Sequence, residues 1–168
     1  MESTNTTIND ICPPGHYCPV GSGAPIQCPP GTNSSSVGLI EVSDCPECTQ
    51  GYYCPKNGTV FATRKCLAGF YCPLGSSASV LTCPYAHKCP VGSAAPTTCE
   101  AGTYQDEIGQ SSCKTCPSGS YCLYNTTNPV ACPAGSFCPN ATRFSTEFLC
   151  PNGTFSNSPS LTNITECT

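Results

Sequence analysis

Outside cysteine, the apolar residues of this chain stand singly or in runs of at most three, and the most regular of them are aromatics placed by the cysteines. Counting the first cysteine of each recurring unit as position zero, position five is aromatic in seven of nine units: Tyr17, Tyr53, Tyr71, Tyr104, Tyr121, Phe137 and Phe155. Asn33 and Lys88 break the rule. Position three is Gly in eight units (Gly15, Gly31, Gly51, Gly69, Gly102, Gly119, Gly135, Gly153) and Ala86 in the ninth. Glycine there, often preset by a preceding proline, predicts a tight turn at positive φ just after the cysteine. The aromatic then leans on the disulfide and on the neighbouring unit. The pattern predicts short hairpins and turns, with no helix longer than about one turn. No stretch approaches the ~20 apolar residues of a membrane span.

The units are of two kinds. Six short ones have the form C-x5-C: Cys12 with Cys18, Cys48 with Cys54, Cys66 with Cys72, Cys83 with Cys89, Cys116 with Cys122, Cys132 with Cys138. Three long ones set their cysteines 14 to 17 positions apart: Cys28 with Cys45, Cys99 with Cys113, Cys150 with Cys167. No cysteine is left over. After the second cysteine of short units a further turn is expected at Gly21, Gly75 or Gly92, or at Asn57 and Asn125, since Asn also tolerates the left-handed region. The order short, long, short, short runs from Cys12 and again from Cys83, before a final long unit from Cys150. Cys18–Cys28 and Cys89–Cys99 agree at eight of eleven positions. A tandem array follows: a polar segment 1–11, four-module repeats 12–82 and 83–149, and a terminal long module 150–168.

Composition sharpens this reading. The chain has 168 residues, of which 18 are Cys, 18 Pro and 15 Gly, with 10% charged and a net charge of −4. Cysteine exceeds the roughly 8–10% that marks a disulfide scaffold, and the 38% counted as hydrophobic includes it. A single oily core is therefore not expected, nor is a helical bundle, given a helix breaker or cysteine every few residues. Six scattered Lys and Arg supply no basic face for nucleic acid. So many cysteines point to an oxidising, extracellular or cell-surface location reached through the secretory pathway. Seven N-x-S/T sequons agree with it, making Asn5, Asn33, Asn57, Asn125, Asn140, Asn152 and Asn163 candidate N-glycosylation sites. Met1 to Asp10 lacks the apolar core of a signal peptide, so the chain reads as a portion of a longer secreted product.

Candidate chemistry is sparse. Cys45-Pro-Glu-Cys48 and Cys113-Lys-Thr-Cys116 have the spacing of zinc-ribbon half-sites, but 64 residues separate them and each lies at a module boundary, where disulfides are the simpler reading. His16 and His87 share position four and read as exposed turn residues rather than a metal site or general base. Asp106-Glu107 and Asp44 with Glu47 are isolated surface acids, without a calcium-loop pattern. In Tyr52-Tyr53 and Phe70-Tyr71 one ring of each pair is expected to face outward. The unit at Cys83, with Ala86, His87 and Lys88, departs most from its siblings.

The run Cys99-Glu-Ala-Gly-Thr-Tyr104 through Cys113-Lys-Thr-Cys116-Pro-Ser-Gly119 resembles the ephrin-receptor-like cysteine-rich repeats, which are similar in appearance to modules of the tumour-necrosis-factor receptor ectodomain. Cys28 to Gly51 is the next nearest, and the resemblance runs from about Cys12 to Cys167. It implies fold more than function, since such repeats occur in receptors, adhesins, surface coats and flagellar hairs (mastigoneme-like proteins). The C-x5-C units depart from the ephrin-receptor pattern, so a receptor role does not carry over.

Eighteen cysteines admit many connectivities. Pairing first to second cysteine inside each module respects the repeat, with each short loop contributing ~2.4 and each long loop ~3 kcal/mol in the chain-entropy description. An interleaved scheme, Cys48 with Cys66 and Cys54 with Cys72, also closes without leftovers. Bridges Cys45–Cys48 and Cys113–Cys116 would be strained. The expected fold class is small and disulfide-rich: an extended tandem array of nine two-cysteine modules, with short β-hairpins and almost no helix. The expected function is that of a non-enzymatic structural glycoprotein, a disulfide-stapled rod in an extracellular filament, coat or appendage. Self-association, N-linked glycans and no other cofactor go with it. The alternative is a receptor or adhesion ectodomain binding a protein ligand.

Overall fold

The structure, a computed structural model, describes residues 11–79 and 81–168; the sequon at Asn5 lies outside them. The chain forms two compact units, one holding residues 11–65 and 72–79, the other 66–71 and 81–168. Among the described residues, regular structure consists of six two-stranded antiparallel hairpins, each strand two residues long, and two single 3-10 turns, Val42–Asp44 and Ile164–Glu166.

Each hairpin joins positions four and five of one module to the pair of residues just before the next cysteine. Tyr17 pairs with Ile26, Tyr53 with Arg64, Tyr71 with Leu81, Tyr104 with Lys114 and Tyr121 with Val130. Residues directly opposite in an antiparallel pair project to the same face, so the position-five ring covers an aliphatic or a basic side chain. Phe137 follows suit against Phe148, with ring centroids 5.5 Å apart. Six of the seven aromatics are half-buried in this way. Phe155 is exposed, since Thr168 pairs with it in place of a large side chain. Both rings of Tyr52-Tyr53 and of Phe70-Tyr71 are half-buried, so neither pair presents the freely outward ring expected from sequence.

The interior is made of sulfur. Of seventeen buried apolar residues among those described, fifteen are cysteines; the others are Ala86 and Leu161. All eighteen cysteines are disulfide-bonded. The structure joins Cys12–Cys18, Cys28–Cys45, Cys48–Cys54, Cys83–Cys89, Cys99–Cys113, Cys116–Cys122, Cys132–Cys138 and Cys150–Cys167. Cys66 and Cys72 are disulfide-bonded as well.

Position three has positive φ throughout, from 73° at Gly15 to 88° at Gly102, and 58° at Ala86. The second turn also has one left-handed residue, with one correction to the sequence reading. Asn125 fills it at φ 63°, but in the module at Cys48 it is Gly58, at 65°, and not Asn57. Between Cys54 and that residue the chain carries one residue more than between Cys122 and Asn125, which shifts the left-handed position along by one.

Candidate functional site

With no oily core, what the chain offers a partner is its module junctions and the loops between them. Inside each unit, four backbone hydrogen bonds join successive modules. From the module at Cys116 to that at Cys132, Gly119 N–H donates to Cys138 O (2.8 Å) and Cys132 N–H donates back to Gly119 O (2.9 Å). Ala141 N–H donates to Cys116 O (2.8 Å) and Cys122 N–H to Thr142 O (3.0 Å). The same four recur from Cys28 to Cys48: Gly31 to Cys54 (2.8 Å), Cys48 to Gly31 (2.8 Å), Gly58 to Cys28 (2.9 Å) and Ser34 to Thr59 (3.0 Å). Backbone groups that short loops would otherwise leave unpaired are satisfied by the next module, whatever its side chains.

Contact also reaches one module further than expected from sequence. A Cβ on Gly31 would stand 2.6 Å from Gly75 O, and one on Gly102 2.6 Å from Ala141 O. At these positions glycine is needed twice over, for its φ and because the turn two modules along rests on it, whereas Gly135 and Gly153 have open space around a Cβ and need it for φ alone. Ala86 is the one exception. By repeat position it faces the turn of Asn125, whose N–H reaches Cys99 O at 3.2 Å, the longest bond of its kind, against 2.7 Å for Gly109 to Cys83.

Position six holds residues that the sequence reading missed. In short modules it is the second cysteine. In long modules that cysteine has moved away, and Ser34, Gln105 and Ser156 take the place, with Ser34 and Gln105 fully buried. Gln105 Nε2 donates to Ser112 O (2.7 Å) and its Oε1 accepts from Glu107 N–H (3.2 Å), so the amide closes the long loop over itself. Ser34 Oγ likewise accepts from Ser36 N–H at 3.1 Å. A polar residue exactly where siblings carry cysteine was the available signal.

The long loops are further tied by acids. Asp44 accepts from the N–H groups of Glu41 (2.9 Å) and Ile40 (3.0 Å), which hold its carboxyl below the ordinary range. Glu166 does the same for the Thr162 hydroxyl, Thr162 N–H and Asn163 N–H, and its pKa is lowered in turn. Lys114 Nζ stands 2.6 Å from Asp106, lowering the acid and raising the lysine.

Among the sequons, Asn57, Asn125, Asn140, Asn152 and Asn163 are exposed, whereas Asn33 is half-buried in the aromatic position, its Oδ1 4.0 Å from Cys54 Sγ. Thr59, Thr142 and Thr154, the third residues of three sequons, donate their hydroxyls to the carbonyl three residues back. These triplets thus have a turn-forming role of their own. His16 Nδ1 donates to Pro14 O at 2.9 Å; His87 Nδ1 donates to Tyr85 O at 2.7 Å while its Nε2 accepts from Thr98 Oγ1 at 3.1 Å. Both rings brace the start of a hairpin. Cys45, Cys48, Cys113 and Cys116 are all committed to disulfides with other cysteines, and among the described residues no three His, Cys, Asp or Glu gather as metal ligands.

One hollow coincides with the deviant module. Where other modules set an aromatic, Lys88 leaves an open space of about 350 Å³, lined also by Glu100, Thr103, Ser111 and Ser112. It holds both charges and three hydroxyls, so it suits a polar group rather than an apolar one.

Residues 89–131 match the family described as tyrosine-protein kinase ephrin type A/B receptor-like. The match covers the long module at Cys99 and the short module at Cys116, about a quarter of the chain. No curated protein matches the chain. The ephrin-receptor-like match and the disulfides together mark an extracellular, receptor-like or surface module, and among the described residues no helix is long and apolar enough to cross a membrane.

Proposed function

We propose that the chain is a non-enzymatic structural element of an extracellular coat, filament or appendage, a stapled array that works without a cofactor and carries N-linked glycans on its exposed turns. One observation supports it above others: neighbouring modules are joined by the same backbone bonds whether the side chains between them are aromatic, basic or polar. A surface conserved in the backbone alone suits a load-bearing repeat better than a recognition site, which needs distinctive side chains. Material from the natural source tests it. Electron microscopy is expected to show a polymer with regular subunit spacing; a monodisperse monomer that elutes with one protein ligand would sink the idea.

The second reading is a receptor or adhesion ectodomain, favoured by the position of the Lys88 hollow at the edge of the family match. Under it, Lys88→Glu abolishes capture of the ligand while leaving the disulfides, read by non-reducing peptide mapping, untouched.

A further inference from the structure

Charge along the chain is segregated. Residues 48–99 carry four of the six cations and none of the ten acids. Three of those cations, Lys56, Arg64 and Lys65, lie within ten residues, on the hairpin of Tyr52–Tyr53 with Arg64–Lys65 and the turn that joins it. All three are exposed, and among the described residues none has an acid within ion-pair distance. Elsewhere Lys114 and Arg143 both have one. A bare cation cluster on an acidic chain, in one module among nine, needs a reason.

Around it the turn is hollowed. Tyr53, Lys56, Phe61 and Arg64, with the hydroxyl residues Thr59 and Thr63, line a cavity of about 150 Å³. Tyr53 and Arg64 are direct cross-strand partners and so share a face. Phe61 stands 66% exposed at the rim, the most exposed aromatic of its unit. Two aromatic side chains, two cations without an acid partner among the described residues, and two threonines, one with its hydroxyl donated to Lys56 O, therefore line one space. It is smaller than the roughly 300 Å³ at which a pocket encloses a whole small ligand, so it suits one unit of a polymer.

We propose that this hollow binds one residue of an acidic polysaccharide, a carboxylated or sulfated sugar ring. Arg64 takes the anionic group through its planar fork and Lys56 adds a mobile second charge. Tyr53 and Phe61 present ring faces to the C–H face of the pyranose, and the threonines meet its hydroxyls. An acidic peptide would use the charges and leave the rings idle. A nucleic acid strand would need a row of cations along its phosphates, and here there are two. The inference does not depend on assembly, since a monomer carries the same hollow.

The test is binding of the intact, enzymatically deglycosylated chain to immobilised heparin, hyaluronan, dextran and polyglutamate at low salt. Binding to one or both anionic polysaccharides and not to dextran is expected. Arg64→Gln and Phe61→Ala should each weaken it about three- to tenfold. Lys65→Gln, which removes the same charge from the opposite face of the hairpin, should change it less than about twofold. Non-reducing peptide mapping confirms that each variant keeps its disulfides. No binding above dextran overturns the proposal. So does equal loss in Arg64→Gln and Lys65→Gln, or polyglutamate binding as tightly and indifferent to Phe61→Ala, since either means charge alone.

Discussion

The long module at Cys99 and the short module at Cys116 adjoin in sequence and make the same junction bonds, yet fill position six with opposite chemistry. In the short module it is Cys122, fully buried and cross-linked to Cys116; in the long one it is Gln105, equally buried, with its side-chain amide bonded to its own loop. The backbone at that place is unaffected: Cys122 N–H donates to Thr142 O and Gln105 N–H to Thr126 O. The difference teaches which element is primary. The cysteine is one way of filling a slot that the backbone junction defines, and the staple is free to slide outward when a polar group can fill the slot instead.

If the junction is primary, damage to it should cost at least as much as the loss of one staple. Gly102→Val places a branched side chain against Ala141 O and in a left-handed conformation. It is expected to cost at least about 4 kcal/mol, or to prevent native disulfide formation, as read by denaturant unfolding and non-reducing mapping. Gly135→Ala has the same positive φ but open space around its Cβ, and should cost only about 1–2 kcal/mol. Equal effects at both sites would leave φ alone as the cause and remove the close approach from the account.

The staples come next. By loop length alone, removing Cys99–Cys113 should cost more than removing Cys116–Cys122, ~3 against ~2.4 kcal/mol. The structure reverses that order. Both sulfurs of the short staple are fully buried in the junction, whereas Cys113 is only half-buried. Paired Cys→Ser changes should therefore cost about 4–5 kcal/mol in the short module and about 3–4 in the long one, because two buried hydroxyls lose their solvation in the first. Chemical denaturation of the two double variants decides it.

Filling the slot with a polar group has a smaller cost when undone. Gln105→Ala leaves Ser112 O and Glu107 N–H without their buried partner and should lose about 2–3 kcal/mol. Faster amide exchange is expected in 106–112, while the Cys122 amide stays protected. Loss of protection at Cys122 as well would mean that Gln105 holds the junction rather than its own loop.

Much of this was legible in the spacing of cysteines. Gly at position three announced both the turn and its φ, because no other residue is so readily placed there, and the absence of aliphatic runs announced an interior of disulfides. Gln105 and Ser34 were illegible for a physical reason: a lone polar residue in a polar loop looks exposed unless the loop is registered against the short modules. Asn57 misled in a related way, since one added residue moved the left-handed position to Gly58. One hollow arises across a hairpin, at Tyr53 with Arg64, and the other where Lys88 meets residues 100–113 of the next module, and no linear spacing encodes those.

Acid should separate the two module kinds most gently. Asp44, Asp106 and Glu166, all in long loops, have carboxyl pKa values lowered in the folded state, by backbone N–H groups at Asp44, by Lys114 at Asp106 and chiefly by the Thr162 hydroxyl at Glu166. A folded pKa below the unfolded value means stability that is fully present above the unfolded carboxylate range near pH 4 and is lost as pH falls through the lower folded value. All three groups are exposed, so the effect is small and local rather than global unfolding. Amide exchange compared at neutral pH and near pH 3 should show reduced protection at Ile40, Glu41, Thr162 and Asn163, whose N–H groups donate to these carboxylates. The backbone-to-backbone amides of Gly119 and Cys132 carry no such dependence and should keep theirs. One exception sharpens the comparison. Glu147, in the loop that follows the short pair Cys132–Cys138, is lowered by the Arg143 side chain, and Arg143 N–H donates to it at 2.6 Å, so acid should loosen that amide too. Acid sensitivity that instead spread evenly over the junction amides would show that carboxylates, and not the backbone, hold successive modules together.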